Sequence, residues 1–403
     1  MKEESRQQIR LIGFILLFFF AGAAVAILTA KINRFPEEYV AYQADAFLHG
    51  RLDISQSLIK AHGGITEDLV IRNGKYYEQH APLPALILVP AVALFGPVGT
   101  QNIFQYLLVA LAGYAAYLFL KRRGLDPETT WWLLFAFLFS SVFFGISIIL
   151  GYCFFIQLLG VALAFFALYE FSGRDRPWII GLLIAAICAT RSTAGLVMMI
   201  FFGLETVFRS IPWRERLKRL AIIAAPIAVT VLALAWLNFA KFGSPFDSGY
   251  KDSLTWFQPE ASLRAKFGLF STTFIGRNFR YYFYELPKLG KHWKWFASAR
   301  GISVFLLSPI LLWLFALRRW NRTIMAASVS SLVGLGTLLC LYAPGYFQLG
   351  PRYVCDFLPL LFLLLTQVFR GKKMGVWPKA AILMGTAANI LIAVLWAQAP
   401  PFS

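Results

Sequence analysis

Charge is what this chain has least of. Asp, Glu, Lys and Arg make up 14% of its 403 residues, about half the share of a soluble domain, so an ordinary soluble enzyme is excluded. Cysteine is scarce as well. Cys153, Cys188, Cys340 and Cys355 lie in or beside apolar runs with no C-x-x-C and no neighbouring histidine, which argues against a disulfide scaffold, a zinc site or a redox pair and leaves them as small core residues. The histidines His49, His62, His80 and His292 form no H-E-x-x-H and no i, i+4 pair. Acidic groups number 20 against 38 basic ones. In a soluble chain that excess would favour nucleic acid, but no RNP, zinc-finger or recognition-helix pattern accompanies it, so no nucleic-acid partner is expected. Internal repeats and low-complexity tracts are absent too.

What is abundant is apolar: 59% of the residues are hydrophobic and 17% aromatic. The expected class is an all-α polytopic membrane protein, one membrane domain over 1–403. A spanning helix needs roughly 20 apolar residues. Runs near 11–30, 102–120, 129–148, 153–171, 177–190, 193–208, 219–238, 301–317, 324–343, 356–369 and 378–397 give about eleven spans. The 14-residue piece 84–97 is too short and reads as re-entrant or interfacial.

The basic residues decide the sidedness. Lys2, Arg6 and Arg10, Lys121–Arg123, Arg174 and Arg176, the cluster Arg209–Arg219, Arg318, Arg319 and Arg322, and Arg370, Lys372 and Lys373 fall on one side, whereas the short turns of the other side hold only Arg191 and Arg352. This is the positive-inside pattern, with the amino terminus cytoplasmic and the carboxyl terminus outside. Counting 84–97 as a span would reverse it. Two long segments, 31–83 and 239–300, then lie outside, and connections of that length are usually functional. A bacterial inner (plasma) membrane is expected, because loops are compact and the one N-x-S/T match, at Asn321, falls on the cytoplasmic side.

Candidate chemistry lies in those outer segments. Glu37 and Glu38 precede a run, Tyr39–Leu48, with near-helical spacing and Gly50 as a stop, expected to be an amphipathic helix on the bilayer whose dipole the two carboxylates would favour. Asp45 is on that helix. Further on, G-K-Y-Y-E-Q-H-A-P-L-P-A carries Tyr76, Tyr77, Glu78 and His80 into the re-entrant piece. Arg191 sits in a short polar break between apolar runs, and Arg352 opens another helix beside Tyr353. Charged groups placed this way in a membrane protein are functional candidates, and guanidinium groups bind phosphate through a fixed pair of donors. The segment 239–300, with R-N-F-R-Y-Y-F-Y-E-L, suits an interfacial helix or a lid.

One amino-terminal helix, an outer loop with acids at the head of a helix, Y-x-x-x-A-x-A-F-L-x-G-R-L-D, then G-K-Y-Y-x-x-x-A-P-L-P-A and many helices resemble polytopic glycosyltransferases of the GT-C class. These include the protein O-mannosyltransferases and the bacterial aminoarabinose transferases of lipid A. F-G-S-P-F-D-S-G-Y (242–250) and G-P-R-Y-V-C-D-F-L-P (350–359) are similar to recurrent segments of that class. Its members commonly carry Asp-Glu at the helix head and His-Pro-Pro-Leu or Lys-Pro-Pro-Leu at the loop's end. Here Glu37 matches the glutamate, Pro36 replaces the aspartate, and His80-Ala81-Pro82-Leu83 matches the second motif with one proline changed.

The resemblance implies sugar transfer from a polyprenyl-phosphate donor to a lipid, glycan or protein acceptor. The base would be Glu37, with Glu38 or Asp45 as substitutes. Arg352, Arg191 and His80 would bind the donor phosphate, and Tyr76, Tyr77, Glu78 and Tyr353 the substrate. Glu37, Glu38, Asp45 and Glu78 could gather around a divalent metal, although no D-x-D is present. A lipid or solute transporter would share the many helices and buried arginines, but the two related halves expected of one are missing from the sequence.

Overall fold

The computed structural model describes residues 37–61, 68–254, 258–289, 295–296, 300–346 and 348–398; the expected first span, 11–30, lies outside them. The helices are α1 (Tyr39–Leu48), α2 (Gln56–Ala61), α3 (Leu83–Phe95), α4 (Thr100–Arg122), α5 (Pro127–Phe139), α6 (Phe143–Ile148), α7 (Tyr152–Phe171), α8 (Pro177–Cys188), α9 (Ser192–Val207), α10 (Trp213–Phe242), α11 (Gln258–Phe267), α12 (Ile275–Phe283), α13 (Val304–Leu307), α14 (Arg322–Cys340), α15 (Leu358–Val368) and α16 (Val376–Gln398). Short 3-10 turns cover Thr272–Phe274, Pro309–Ala316 and Arg352–Asp356. The chain is not wholly helical. β1 (Leu69–Arg72) pairs antiparallel with β2 (Lys75–Glu78), and β3 (Lys288–Leu289) with β4 (Trp295–Phe296).

Among the described residues five helices, α4, α7, α10, α14 and α16, are long and apolar enough to cross a membrane alone. The expected span 129–148 is broken at Ser140-Ser141 into α5 and α6. The one at 301–317 is a single turn followed by a 3-10 stretch that starts at Pro309, where the missing N–H ends regular hydrogen bonding. Spans 177–190, 193–208 and 356–369 are the short helices α8, α9 and α15.

In lipid the apolar effect between helices is lost, and packing decides association. α4 lies along α7, α8 along α10, and α9 along α14. Small residues allow close approach: a Cβ on Gly181 of α8 would come 2.7 Å from the Ile223 carbonyl of α10. Aromatic rings fill the centre, with Phe137 4.2 Å from Phe143, 5.0 Å from Phe165 and 5.6 Å from Phe362 between centroids.

α1 departs from expectation. It is buried on nearly every side, at Tyr39, Val40, Ala41, Tyr42, Gln43, Ala44 and Ala46, and it packs on α3. A helix apolar all round is a core helix, so α1 does not lie on the bilayer.

α3, the short apolar piece, has 13 residues with Pro84 in its first turn and Pro90 inside. Both its ends are tied to one level. Leu83 N–H donates to the Ala189 carbonyl at 2.9 Å, at the end of α8, and the turn after α3 meets Glu38 through Gly99. Both ends of α3 therefore meet the end of the molecule that holds Glu38 and Arg191.

Helix direction sorts the charges. α4, α7, α9 and α15 run from the end holding Glu38, Tyr152, Arg191 and Arg352 to the opposite end; α8, α10 and α14 run back. The basic turns 121–123, 174–176, 209–219, 318–322 and 370–373 thus gather at one end, away from the carboxylates of the outer segments. At that basic end Arg176 binds Glu170 at 2.8 and 2.9 Å, Arg209 binds Asp175 at 2.6 Å, Arg219 also pairs with Asp175, and Arg322 binds Glu205 at 2.8 Å.

Candidate active site

The opposite end is built where α1, the β1–β2 hairpin, the head of α7 and the 188–193 and 350–356 turns meet. Tyr152, the first residue of α7, organises it. Its N–H donates to the Glu37 carbonyl at 2.9 Å, its hydroxyl donates to Asp68, and its ring lies 4.9 Å from Tyr39 and 5.2 Å from His80. Gln101 Nε2 donates to the same Glu37 carbonyl at 3.0 Å, and Gln101 Oε1 accepts from Val40 N–H at 3.1 Å. The backbone at Glu37 is therefore held from two helices.

The Glu37 carboxylate faces Gly151 and Phe154. A Cβ on Gly151 would lie 3.9 Å from Glu37 Oε2 and 3.4 Å from the Phe154 ring. Arg352 stands over that same ring at 5.2 Å. The charges around the Cys153 thiol are those of Arg352, Glu37, Asp68 and Arg191. A carboxylate from the start of the chain and guanidinium groups from its middle and far end thus share one neighbourhood.

The two cations are arranged around Tyr353. Arg191 and Arg352 both stand over its ring, at 4.9 and 5.2 Å. Arg191 is aimed by Asp356, which is 4% exposed: Nε donates to one carboxylate oxygen and the Thr193 hydroxyl to the other. That ion pair holds the Arg191 guanidinium above its ordinary value against the burial that alone would lower it. Its terminal nitrogens have no partner among the described residues. Arg352 donates from Nη1 to the Tyr346 carbonyl at 2.9 Å, and its buried Nε has no hydrogen-bond partner among the described residues. An anion is the group such donors are suited to receive.

On the hairpin side, Glu78 is 1% exposed. Its Oε1 accepts from the His80 N–H at 3.0 Å and is bonded to His80 Nδ1, while Oε2 has no partner among the described residues. The dyad is fixed from below by Lys241, whose ammonium donates to the Glu78 carbonyl at 2.8 Å. Above it Tyr250 sets its ring edge 5.7 Å from His80. Burial, reinforced by Glu78, Tyr353 and Asp68 and opposed by Arg191, pushes the Tyr250 phenol well above its ordinary range, so it is a hydrogen-bond donor at any working pH.

Tyr250 reaches this position because the loop that carries it is stitched to the hairpin. Arg72 pairs with Asp247 at 2.9 Å and also with Asp252; Asp68 N–H donates to the Leu254 carbonyl at 2.8 Å, and Leu254 N–H returns the bond to Leu69 at 2.9 Å.

The structure thus gathers Glu37, Glu78, His80, Arg191, Arg352 and Tyr353. Glu38 is placed elsewhere: 2% exposed, it accepts Gly99 N–H at 2.9 and 3.0 Å and Asn102 Nδ2 at 2.9 Å. The expected capping role is real, but the helix capped is α4, not its own. Asp45 lies 3.5 Å from both His49 and Arg51. Tyr76 is in the hairpin ladder opposite Ile71, and Tyr77 sets its ring 5.8 Å from Phe242. Four residues join that reading of the sequence did not single out: Asp68, Tyr152, Tyr250 and Asp356. Tyr250 and Asp356 lie inside the two recurrent segments already noted, whereas Asp68 sits at a φ of 62° that no local pattern announces. The four carboxylates considered for a metal do not converge, and among the described residues no group of three His, Cys, Asp or Glu side chains could hold one.

A family model described as "Predicted membrane protein (DUF2079)" matches residues 73–403. By structure, the chain is similar to ArnT from Cupriavidus metallidurans bound to undecaprenyl phosphate, with 14% identity, a TM-score of 0.52, and coverage of 93% of this chain and 63% of that one. It is also similar to the apo oligosaccharyltransferase of Archaeoglobus fulgidus, with 13% identity, a TM-score of 0.49, and coverage of 95% and 55%. The chain therefore spans somewhat over half of those proteins. Both neighbours are GT-C glycosyltransferases, and at this identity the likeness to ArnT is one of fold. Comparison with curated proteins by sequence gives no significant match.

Proposed function

The chain belongs to the family described as "Predicted membrane protein (DUF2079)", and we propose that it is a membrane glycosyltransferase that moves a sugar from a polyprenyl-phosphate carrier to an acceptor hydroxyl at the non-cytoplasmic face. The observation that carries this reading is the meeting of Glu37 with Arg352 and Arg191 around Phe154, Cys153 and Tyr353. The fold shared with ArnT supports it.

In this reaction the carboxylate of Glu37 takes the proton of the acceptor hydroxyl as its oxygen attacks the anomeric carbon. The bond from that carbon to the phosphate oxygen breaks with inversion, and the electron pair leaves on the phosphate. Arg191 and Arg352 receive the growing phosphate charge, and being fixed in advance they need little rearrangement. His80, oriented by Glu78, adds a third polar contact to the phosphate. Asp68 holds Tyr152 and so the floor on which Glu37 is placed. The sidedness rests on the basic turns lying at the other end.

The test is mass spectrometry of lipid-linked sugars and envelope glycans from cells that have the protein, lack it, or carry E37Q or R352K. Loss should accumulate a glycosylated polyprenyl phosphate and deplete one glycan, and each variant should resemble the loss. Identical lipid-linked sugars and glycans in all four would refute the transferase reading.

A further inference from the structure

Among the described residues the aspartates of the outer segments are paired with basic side chains, with one exception. Asp45 meets His49 and Arg51, Asp53 meets Lys75, Asp247 and Asp252 share Arg72, and Asp356 holds Arg191. Asp68 forms no ion pair there. It is half-buried; Oδ2 accepts from the Tyr152 hydroxyl, and Oδ1 has no hydrogen-bond partner among the described residues. A carboxylate partly withdrawn from water without a counter-charge is costly unless another donor reaches it.

The backbone is built to hold Asp68 in that place. Its φ of 62° is disfavoured for a residue with a Cβ, and such angles persist only where the surroundings impose them. Two bonds do so: Asp68 N–H donates to the Leu254 carbonyl at 2.8 Å, and Leu254 N–H to Leu69 at 2.9 Å. Arg264 secures the same loop, donating to the Tyr250 and Ser253 carbonyls at 3.0 and 2.7 Å while its guanidinium stands 5.5 Å over the Tyr342 ring. From Asp68 a row of rings leads across the site: Tyr152, then His80 at 5.2 Å from it, then Tyr250 at 5.7 Å from His80. Burial, and after it the charge of Asp68, holds the Tyr342 phenol above its ordinary range against Arg264.

The group that meets Oδ1 is not the phosphate, which a carboxylate repels and which Arg191 and Arg352 are placed to take. It is a hydrogen-bond donor, a hydroxyl or an ammonium. The sugar is bonded to that phosphate and carries such groups around its ring, and an aromatic wall with a few placed polar atoms is the usual make-up of a small-molecule site. We propose that Asp68 reads the transferred sugar, with Oδ1 accepting from a ring hydroxyl or amino group while Tyr152 steadies Oδ2. This rests on the transferase reading and adds to it a residue that determines which sugar is moved.

The test is thermal unfolding of the full chain in a neutral detergent, titrated with a bare short-chain polyprenyl phosphate or with the glycosylated polyprenyl phosphates extracted from cells that lack the protein. D68N keeps an oxygen for the Tyr152 hydroxyl and suits a positive φ, but offers an amide in place of Oδ1. It should raise the half-maximal concentration of the glycosylated lipid about tenfold or more, and that of the bare one less than about threefold. D68G accepts the same backbone angle and should lose at least as much, which keeps the test decisive if D68N does not fold. Y152F breaks the same bond from the other partner and leaves Oδ1 in place, so it should cost less than about threefold. Equal losses in Y152F and D68N would mean that Asp68 only holds Tyr152. That result, equal losses for both lipids, or no loss in either Asp68 variant would overturn the proposal and leave the transferase reading standing. If neither lipid protects the wild type, the transferase reading fails and the proposal with it.

Discussion

Asp356→Asn separates a phosphate-facing Arg191 from a structural one. Asp356 is buried and makes two contacts, to Arg191 Nε and to the Thr193 hydroxyl. Asparagine keeps both, because its oxygen can accept from Arg191 while its amide donates to the threonine oxygen, but it removes the charge. Deleting one member of a buried pair costs about 3–5 kcal/mol. Charge-assisted hydrogen bonds are about twice as strong as neutral ones, so the asparagine should cost about 2 kcal/mol. In a chain of this size that is a fall of a few degrees in melting temperature. A phosphate delivered to the same guanidinium then becomes its counter-ion. At a ligand concentration of about 100 times Kd the wild type gains about 2.7 kcal/mol, and the variant should gain much of the missing 2 kcal/mol in addition. The assay is thermal unfolding of both proteins with and without a short-chain polyprenyl phosphate. A larger ligand-induced rise in D356N than in wild type is expected. Equal rises, or no loss without ligand, would show that Arg191 does not face the phosphate.

Glu37→Gln should lower transfer by at least about 100-fold with a nearly unchanged melting temperature, since a general base contributes about 10² to 10⁴. Glu38→Gln should do the reverse, costing about 1–3 kcal/mol by weakening three contacts at the head of α4 and leaving transfer per folded molecule within about threefold. Gly249→Ala meets a φ of 77° and places a methyl 2.8 Å from the Phe242 ring and 2.9 Å from Val70, so it should open the Arg72-clamped loop. Limited proteolysis should then cut within 244–254 faster than in wild type, and as fast as in R72A.

The helix pattern was legible because membrane spans are written in composition. α4, α7, α10, α14 and α16 follow from apolar runs between charged turns, and the same charges sort the ends. The breaks at Ser140 and Ser308 were not, since a run reads as continuous whether its backbone continues or reforms beyond a polar residue. Burial of α1 was hidden for a related reason: Tyr, Ala and Val suit an interface as well as a core, and only the helices around it decide. In the site, Arg191 and Arg352 stood out as charges between apolar runs. Asp356 did not, although it orients one of them, because a buried acid and a solvated one look alike in sequence. Asp68 and Tyr152 are brought together from distant segments by the hairpin, and no spacing encodes that.

The parity of the whole array rests on α3. Its 13 residues rise about 20 Å, against about 30 Å of hydrocarbon, and Pro90 lies within it. Its two ends are tied to Ala189 and, through Gly99, to Glu38, so both belong to the level of the carboxylates. If α3 crossed instead, every later turn would change sides and the basic clusters would face outward. Cysteine labelling with an impermeant maleimide decides this in a background with Cys153, Cys188, Cys340 and Cys355 replaced. Cysteines at Lys75 and Val98, before and after α3, should label from the same side of intact cells or spheroplasts, and a cysteine at Arg174 should label only after the membrane is opened. Labelling of 98 together with 174 rather than with 75 would mean that α3 spans. The Glu38 contact to Gly99 would then be lost, and with it the placement of Glu37 beside Arg352.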